Sequence, residues 1–274
     1  MTKASEVEGQ TVVFEVSSWG TVEAPKLKFK AYTNDKLTPN IERSVSDRIS
    51  FFLSLQDNLR GFYKIALQDA CMEAVIRRFY GHKQVKFLTP FEGACWAILA
   101  QRIPMAASHK MKENLVRAIG DPVRLGGVEY WAFPDAKTMA AAGEAKISQI
   151  VRNRRKAEYL WAVTEKFKDV EEQWLRSAPY DEVYTWLRGI KGIGEWSANF
   201  ILLRSLGRME KLSTVGPDLA YDVAKMYFGR EEPLTDSEVC KIAEKYGASM
   251  GYWAYYVRIY SEFTYVFQAR KRSE

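Results

Sequence analysis

The spacing of apolar positions changes character near residue 46. Before it, two short runs, TVVFEV from Thr11 and KLKFKAY from Lys26, have strand-like composition and flank a Gly-containing polar stretch. KLKFKAY alternates strictly, so Lys26, Lys28 and Lys30 share one face and Leu27, Phe29 and Ala31 the other, the pattern of an antiparallel strand wetted on one side. So small a sheet must lean on the helices after it. From Ser46 the period is helical. Ser46 and Asp47 are candidate caps before RISFFLSL, and Asp57 precedes one long helix, NLRGFYKIALQDACMEAVIRRFYG, that stops at Gly81. TPFEGACWAILAQRI sets Phe91, Cys95, Trp96, Leu99 and Ile103 on a buried stripe. Further helices are predicted over 106–119, 135–142, 144–151, 154–167 and 181–187, with a loop over 126–134 and a frayed ARKRSE tail.

Composition mainly excludes. The 274 residues are 47% hydrophobic and 27% charged, globular values that leave no room for collagen-like, low-complexity or wholly disordered readings. Lys and Arg number 40 against 34 Asp and Glu, a net +6 that leans toward a polyanionic partner. Cys71, Cys95 and Cys240 are far apart and odd in number, so neither a disulfide framework nor a four-cysteine metal or iron–sulfur site can be built. A reduced cytosol is the expected home. His82 and His109 lack partners at ligand spacing and read as surface or cap residues. No window approaches the roughly 20 apolar residues that a bilayer crossing needs, and no basic head precedes an apolar run at the start. No membrane role is expected.

Candidate chemistry concentrates in LRGIKGIGEWSANFILLRSLG, from Leu187 to Gly207. Gly189, Gly192 and Gly194 fall within 6 residues, flanked by Ile190 and Ile193, and an apolar helix begins near Glu195. Glycine permits positive φ and close approach to a partner, while the isoleucines plug the turn into the core. The amides of Gly192 and Gly194 and of the first helical turn would then face outward, where unpaired N–H groups and the helix dipole attract phosphate. The turn comes after a helix ending in TWL, not a strand, which fails the context of a dinucleotide-binding or P-loop motif. A plain tight connection between two helices is the alternative.

The form LxGIxGIGxWxA in this setting resembles the helix-hairpin-helix (HhH-GPD) DNA glycosylase superfamily, in its AlkA-type 3-methyladenine DNA glycosylase branch. That superfamily carries an aspartate at the start of the next helix, and STVGPDLAYDVAKMYFG places Asp218 24 residues beyond Gly194. TPFEGACWAILAQRI, RNRRKAEYL and GYWAYYVRIY resemble its first core helix, its Lys-Ala helix and its closing helix, so the likeness spans roughly residues 43–265.

The resemblance implies that Asp218 is a buried catalytic carboxylate, stabilising the positive charge that develops on the sugar as the base leaves and orienting the attacking water. The bland reading is a helix-start carboxylate after Thr214, Gly216 and Pro217. Asp222, one turn later, is the rival. Members that also cut the strand carry a lysine two residues past the last hairpin glycine, whose amine forms a Schiff base. Trp196 stands there, so a monofunctional hydrolase is implied. Trp196 and Phe200, at i and i+4, with Trp253 or a nearby Tyr, are implied as walls of the base pocket. There a flipped, cationic alkylated purine gains cation–π attraction. Core packing competes for each, and for Tyr255 and Tyr256 it is favoured. Gln101, Arg102 and Ile103 are implied to enter the gap left by the flipped base, with Arg102 as the wedge and a plain helix-terminal arginine as the alternative. Gly189, Lys191, Gly192, Ile193 and Gly194 would hold the DNA backbone, Lys191 as a phosphate contact or a solvated side chain, and the carbonyls from Lys191 to Gly194 could take a monovalent cation. The basic run Arg152, Arg154, Arg155 and Lys156 reads as a solvated face or a phosphate contact. The pairs Asp181 with Glu182 and Glu231 with Glu232 read as helix-start and loop charges.

The expected fold is α+β: an N-terminal antiparallel β region over 1–45 and a mainly α-helical glycosylase core over 46–274, in two lobes with the cleft between them. The expected activity is hydrolytic release of alkylated purines, of the 3-methyladenine and 7-methylguanine type, from duplex DNA in base-excision repair. A monomer acting without cofactor or catalytic metal is expected, in the cytoplasm on the nucleoid, or in a nucleus. A monofunctional glycosylase for deaminated or oxidised purines and a non-catalytic DNA-binding module are the alternatives.

Overall fold

The computed structural model describes residues 1–21, 24–212 and 215–271; Thr214 and the end of the ARKRSE tail lie outside the described residues. Strands β1 (Thr2–Val7), β2 (Gln10–Ser18) and β3 (Leu27–Tyr32) form an antiparallel sheet in that order, with Val13 opposite both Ala4 and Tyr32. β1 is a strand the apolar pattern does not announce, because TKASEV is largely polar and only Ser5 and Val7 are buried. β3 lies at the sheet edge, where Leu27 and Phe29 are exposed, so the dry face expected of KLKFKAY is not covered. The buried wall comes instead from Val12, Phe14 and Val16 of β2, packed on Ile41, Val45 and Ile49 of helix α1 (Pro39–Phe52). That helix starts earlier than Ser46, because Thr38 accepts a hydrogen bond from the Ile41 amide and Pro39 occupies the first turn. The expected boundary at 45/46 therefore cuts through α1.

The long helix expected after Asp57 is two, α2 (Arg60–Ala66) and α3 (Ala70–Phe79), because the Asp69 side chain accepts from the Cys71 amide and caps the second. Next come α4 (Pro90–Leu99), buried along its whole length, and α5 (Met105–Ile119). The expected loop over 126–134 holds the turn and second strand of a β-hairpin, β4 (Pro122–Leu125) and β5 (Val128–Trp131), closed by Gly126 and Gly127 at φ +57° and +81°. Helices α6 (Ala136–Ala142), α7 (Glu144–Val151), α8 (Arg154–Phe167), α9 (Glu172–Ser177) and α10 (Tyr180–Arg188) lead to the glycine hairpin. Helix α11 (Glu195–Phe200) continues as one π-helical segment, Ile201–Leu206. Last come α12 (Pro217–Phe228), α13 (Asp236–Ala243) and α14 (Met250–Lys271), which carries helix into the tail expected to fray.

The helices bury two cores. One gathers α4, α7, α8, α10 and α11; the other gathers α2, α3, α12, α13 and α14. The π-helical segment serves both, giving Ile201, Leu202 and Leu206 to the first and Leu203 to the second. The architecture is α+β, mainly helical with a small N-terminal antiparallel sheet. No helix among the described residues is long and apolar enough to cross a membrane.

Candidate nucleic-acid interface

The hairpin forms because each of its residues meets a different local demand. The Gly189 amide closes α10 onto the carbonyls of Thr185 and Trp186, and the Ile193 amide donates to the Ile190 carbonyl at 3.0 Å. Ile190 and Ile193 are buried in the first core. Only Gly192 of the three glycines has positive φ, +92°, and a Cβ there would come within 2.3 Å of the Tyr159 ring. Gly194 is extended and precedes α11 without any side-chain cap, which leaves the first amides of that helix without an intrahelical or side-chain acceptor.

Against this turn lies the corner between α4 and α5. The Gln101 side-chain amide donates to the Gly192 carbonyl at 3.0 Å and to Ser197 Oγ at 3.3 Å. Arg102 is exposed and sits at φ +53°, a left-handed conformation unusual outside glycine. Beneath the corner, Lys156 Nζ donates to the carbonyls of Ile98, Leu99 and Gln101 at 2.8, 2.9 and 2.8 Å. Burial holds that ammonium below the ordinary lysine value. Of the basic run, then, Lys156 is neither a solvated face nor a phosphate contact; it belongs to the last turn of α4. Between corner, α8 and hairpin opens a cavity of about 830 Å³, lined by Gln101, Arg102, Ile103, Arg155, Tyr159, Gly192, Gly194 and Trp196 among others. Lys191 is exposed and paired with Glu158, and the carbonyls of Gly192 and Ile193 already accept from Gln101 and Arg188. Fewer hairpin carbonyls therefore remain for the monovalent cation that the resemblance implied.

Trp196 is 54% exposed and stacks on Phe200, with ring centroids 5.3 Å apart and planes at 19°. Phe200 in turn meets Phe87 edge-on at 5.9 Å. One turn further, Arg204 is partly buried; desolvation lowers its pKa, and Tyr255, Arg258 and Glu262 are the groups that act on it. Its Nη1 lies 3.4 Å from Gln84 Oε1.

Trp253 is a correction. It is 0% exposed, stacks on Tyr246 and donates its indole N–H to the Tyr227 hydroxyl at 2.9 Å. Both tyrosine hydroxyls donate to Asp69 at 2.6 Å, so the indole completes a polar network inside the second core and walls no open pocket. Tyr256 is equally buried, whereas Tyr255 is half-buried and stacks on His82.

Asp218 stands in the first turn of α12 after Gly216 and Pro217, and it is exposed. A buried carboxylate was expected; Leu219 and Ala220 take the inward side of that turn instead. Asp222 is half-buried and accepts from Ser261 Oγ. Burial pushes its carboxyl up, as does the nearby Asp218 charge, while the hydrogen bond and Arg258 pull it down. Arg258 thus acts on both Asp222 and Arg204. No residue of α12 lines the hairpin cavity. Arg204, at i+8 from Trp196, is a partly buried cation beside the site that sequence reasoning did not single out. That spacing was the available signal.

The described residues hold no cluster of His, Cys, Asp and Glu fit for a metal ion. Residues 95–251 match the HhH-GPD superfamily of base excision DNA repair proteins. A DNA-3-methyladenine glycosylase of Bacillus subtilis is 29% identical over 157 residues, 57% of this chain and 52% of that protein. Its counterpart in Saccharomyces cerevisiae is 32% identical over 123 residues, 41% of this chain and 38% of the yeast protein. The chain thus spans about half, or less, of the length of these curated relatives. The solved 3-methyladenine DNA glycosylase of Archaeoglobus fulgidus superposes with a TM-score of 0.76 at 24% identity, covering 96% of this chain and 87% of that one, a likeness of fold. With more than half its length matched to one family, this chain belongs to the HhH-GPD superfamily.

Proposed function

We propose that this protein is a monofunctional DNA glycosylase that flips alkylated purines out of duplex DNA and hydrolyses their N-glycosidic bond, acting as a monomer. The observation that carries the reading is the juxtaposition of the glycine hairpin, the Gln101–Ile103 corner and the exposed Trp196 ring, itself stacked on Phe200, around one cavity. The uncapped amides after Gly194 suit a phosphate, and the stacked rings offer a face to an electron-poor base. Trp196 supplies no amine, so water is the nucleophile, and the Asp218 carboxylate stabilises the developing sugar cation.

A second reading, release of neutral deaminated or oxidised purines, is favoured by Arg204. A guanidinium one helical turn beyond Phe200 would oppose a cationic base and suit a purine carbonyl. The exposure of Asp218 favours a third, a DNA-binding module without catalysis. One experiment separates all three: single-turnover base release from duplexes carrying 3-methyladenine, 7-methylguanine, hypoxanthine or 8-oxoguanine, by wild type and Asp218→Asn. Release of the alkylated bases, lost in the variant while DNA binding persists, supports the proposal. Preference for hypoxanthine or 8-oxoguanine supports the second reading, and binding without release by the wild type supports the third.

A further inference from the structure

We propose that Lys156 and Gln101 are positioning residues that lock the turn between α4 and α5, so that Arg102 meets DNA in one fixed, strained conformation. The inference rests on the reading of this face as a DNA interface. Lys156 is 5% exposed, and among the described residues its acceptors are carbonyls, with no carboxylate paired to it. A buried ammonium without an anion is costly. Here it is tolerated because three carbonyls converge on it at the C-terminal, electronegative end of α4.

The choice of carbonyls is informative. That of Gln101 belongs to the peptide unit joining Gln101 to Arg102, so the ammonium fixes the plane about which the φ of Arg102 is set. Those of Ile98 and Leu99 hold the helical turn just before it. The Gln101 side chain fixes the same residue from the other side, through Gly192 and Ser197. Arg102 itself makes no hydrogen bond or ion pair among the described residues, yet it keeps φ +53°. Backbone strain at an exposed residue persists where its surroundings over-determine it, and such sites cluster where a ligand is met. Two grips on one residue, Gln101, next to an arginine with no hydrogen bond or ion pair among the described residues, point to a side chain held ready for the nucleic acid.

The test needs no chemistry. A duplex carrying 2-aminopurine opposite a tetrahydrofuran abasic-site analogue reports, as a rise in fluorescence, a side chain entering the gap. The wild type should give that rise. Lys156→Met and Gln101→Leu should each lose at least half of it while their affinity for the same duplex falls less than tenfold, and Lys156→Arg, which can still donate to the carbonyls, should retain it. A full rise in Lys156→Met, an equal loss in Lys156→Arg, or no rise in the wild type would overturn the inference. Should Lys156→Met not fold, Gln101→Leu carries the test alone, and a full rise there overturns it. A wild type that gives the rise but releases no base would leave this inference standing and remove the catalytic reading instead.

Discussion

The side-chain amide of Gln101 donates to the carbonyl of Gly192 across a sequence separation of 91 residues, at 3.0 Å. Corner and hairpin therefore form one continuous surface around a shared cavity. A ligand that spans both would meet them at a set separation.

Gly192→Ala should damage that surface from below. The residue would have to hold φ +92° with a Cβ 2.3 Å from the Tyr159 ring. Strain and overpacking together should cost roughly 2–4 kcal/mol, readable by urea unfolding. DNA affinity should fall more than tenfold even where the variant is folded. Stability unchanged from wild type would contradict the packing described.

The two tryptophans read alike in sequence and should behave oppositely. Trp253→Ala removes a fully buried ring and should destabilise by about 3–5 kcal/mol. Trp196→Ala removes a largely exposed one and should change stability by less than about 0.5 kcal/mol. Single-turnover base release at saturating enzyme should drop at least tenfold in Trp196→Ala, while the folded fraction of Trp253→Ala should work at nearly the wild-type rate.

Borohydride added during turnover should trap no enzyme–DNA adduct, because the position two residues past Gly194 holds an indole in place of an amine. Lys191, the nearest amine in the chain segment, is engaged by Glu158. A trapped band on a denaturing gel would contradict the monofunctional reading.

Asp222 should set a pH dependence of stability. Its carboxyl is raised above 3.8 in the fold, chiefly by burial, so the folded chain holds that proton more readily than the unfolded one. Stability contributed by the protonated form is full below 3.8 and is lost as the pH rises through the raised value. Asp222→Asn, which can still accept from Ser261, should flatten this fall and be the more stable protein above it. Urea midpoints across a pH series read the effect directly; parallel curves for the two proteins would contradict it. The variant should keep base release, in contrast to Asp218→Asn.

Local chemistry was legible in the sequence wherever a single residue type decides a backbone state. The hairpin glycines and the bounds of α7 and α8 emerge from spacing and caps alone, whereas the stripe read as far as Ile103 is a helix that ends at Leu99 and is buried on every side. The pairing of Gly126 with Gly127 carried the signal for the hairpin the loop reading passed over, and Thr38 with Pro39 the signal for the true start of α1. What spacing cannot supply is the far side of a contact. Lys156 in a run of basic residues gives no sign that three carbonyls wait for it, and Trp253 in an aromatic helix gives no sign that Tyr227 and Tyr246 enclose it. Asp218 shows the converse: its position at a helix start was plain, but its exposure depends on which side of α12 Leu219 and Ala220 bury.

The widened turn over Ile201–Leu206 feeds side chains into both helical cores from a single stretch of backbone. Such a wide coil exists only with its full complement of residues. Removing Leu203 would tighten it to an ordinary α-helix, swing the residues that follow in that helix about 100° around the axis, and turn Leu206 off the first core. The spare residue thus acts as a spacer that keeps one stretch of backbone in register with both cores.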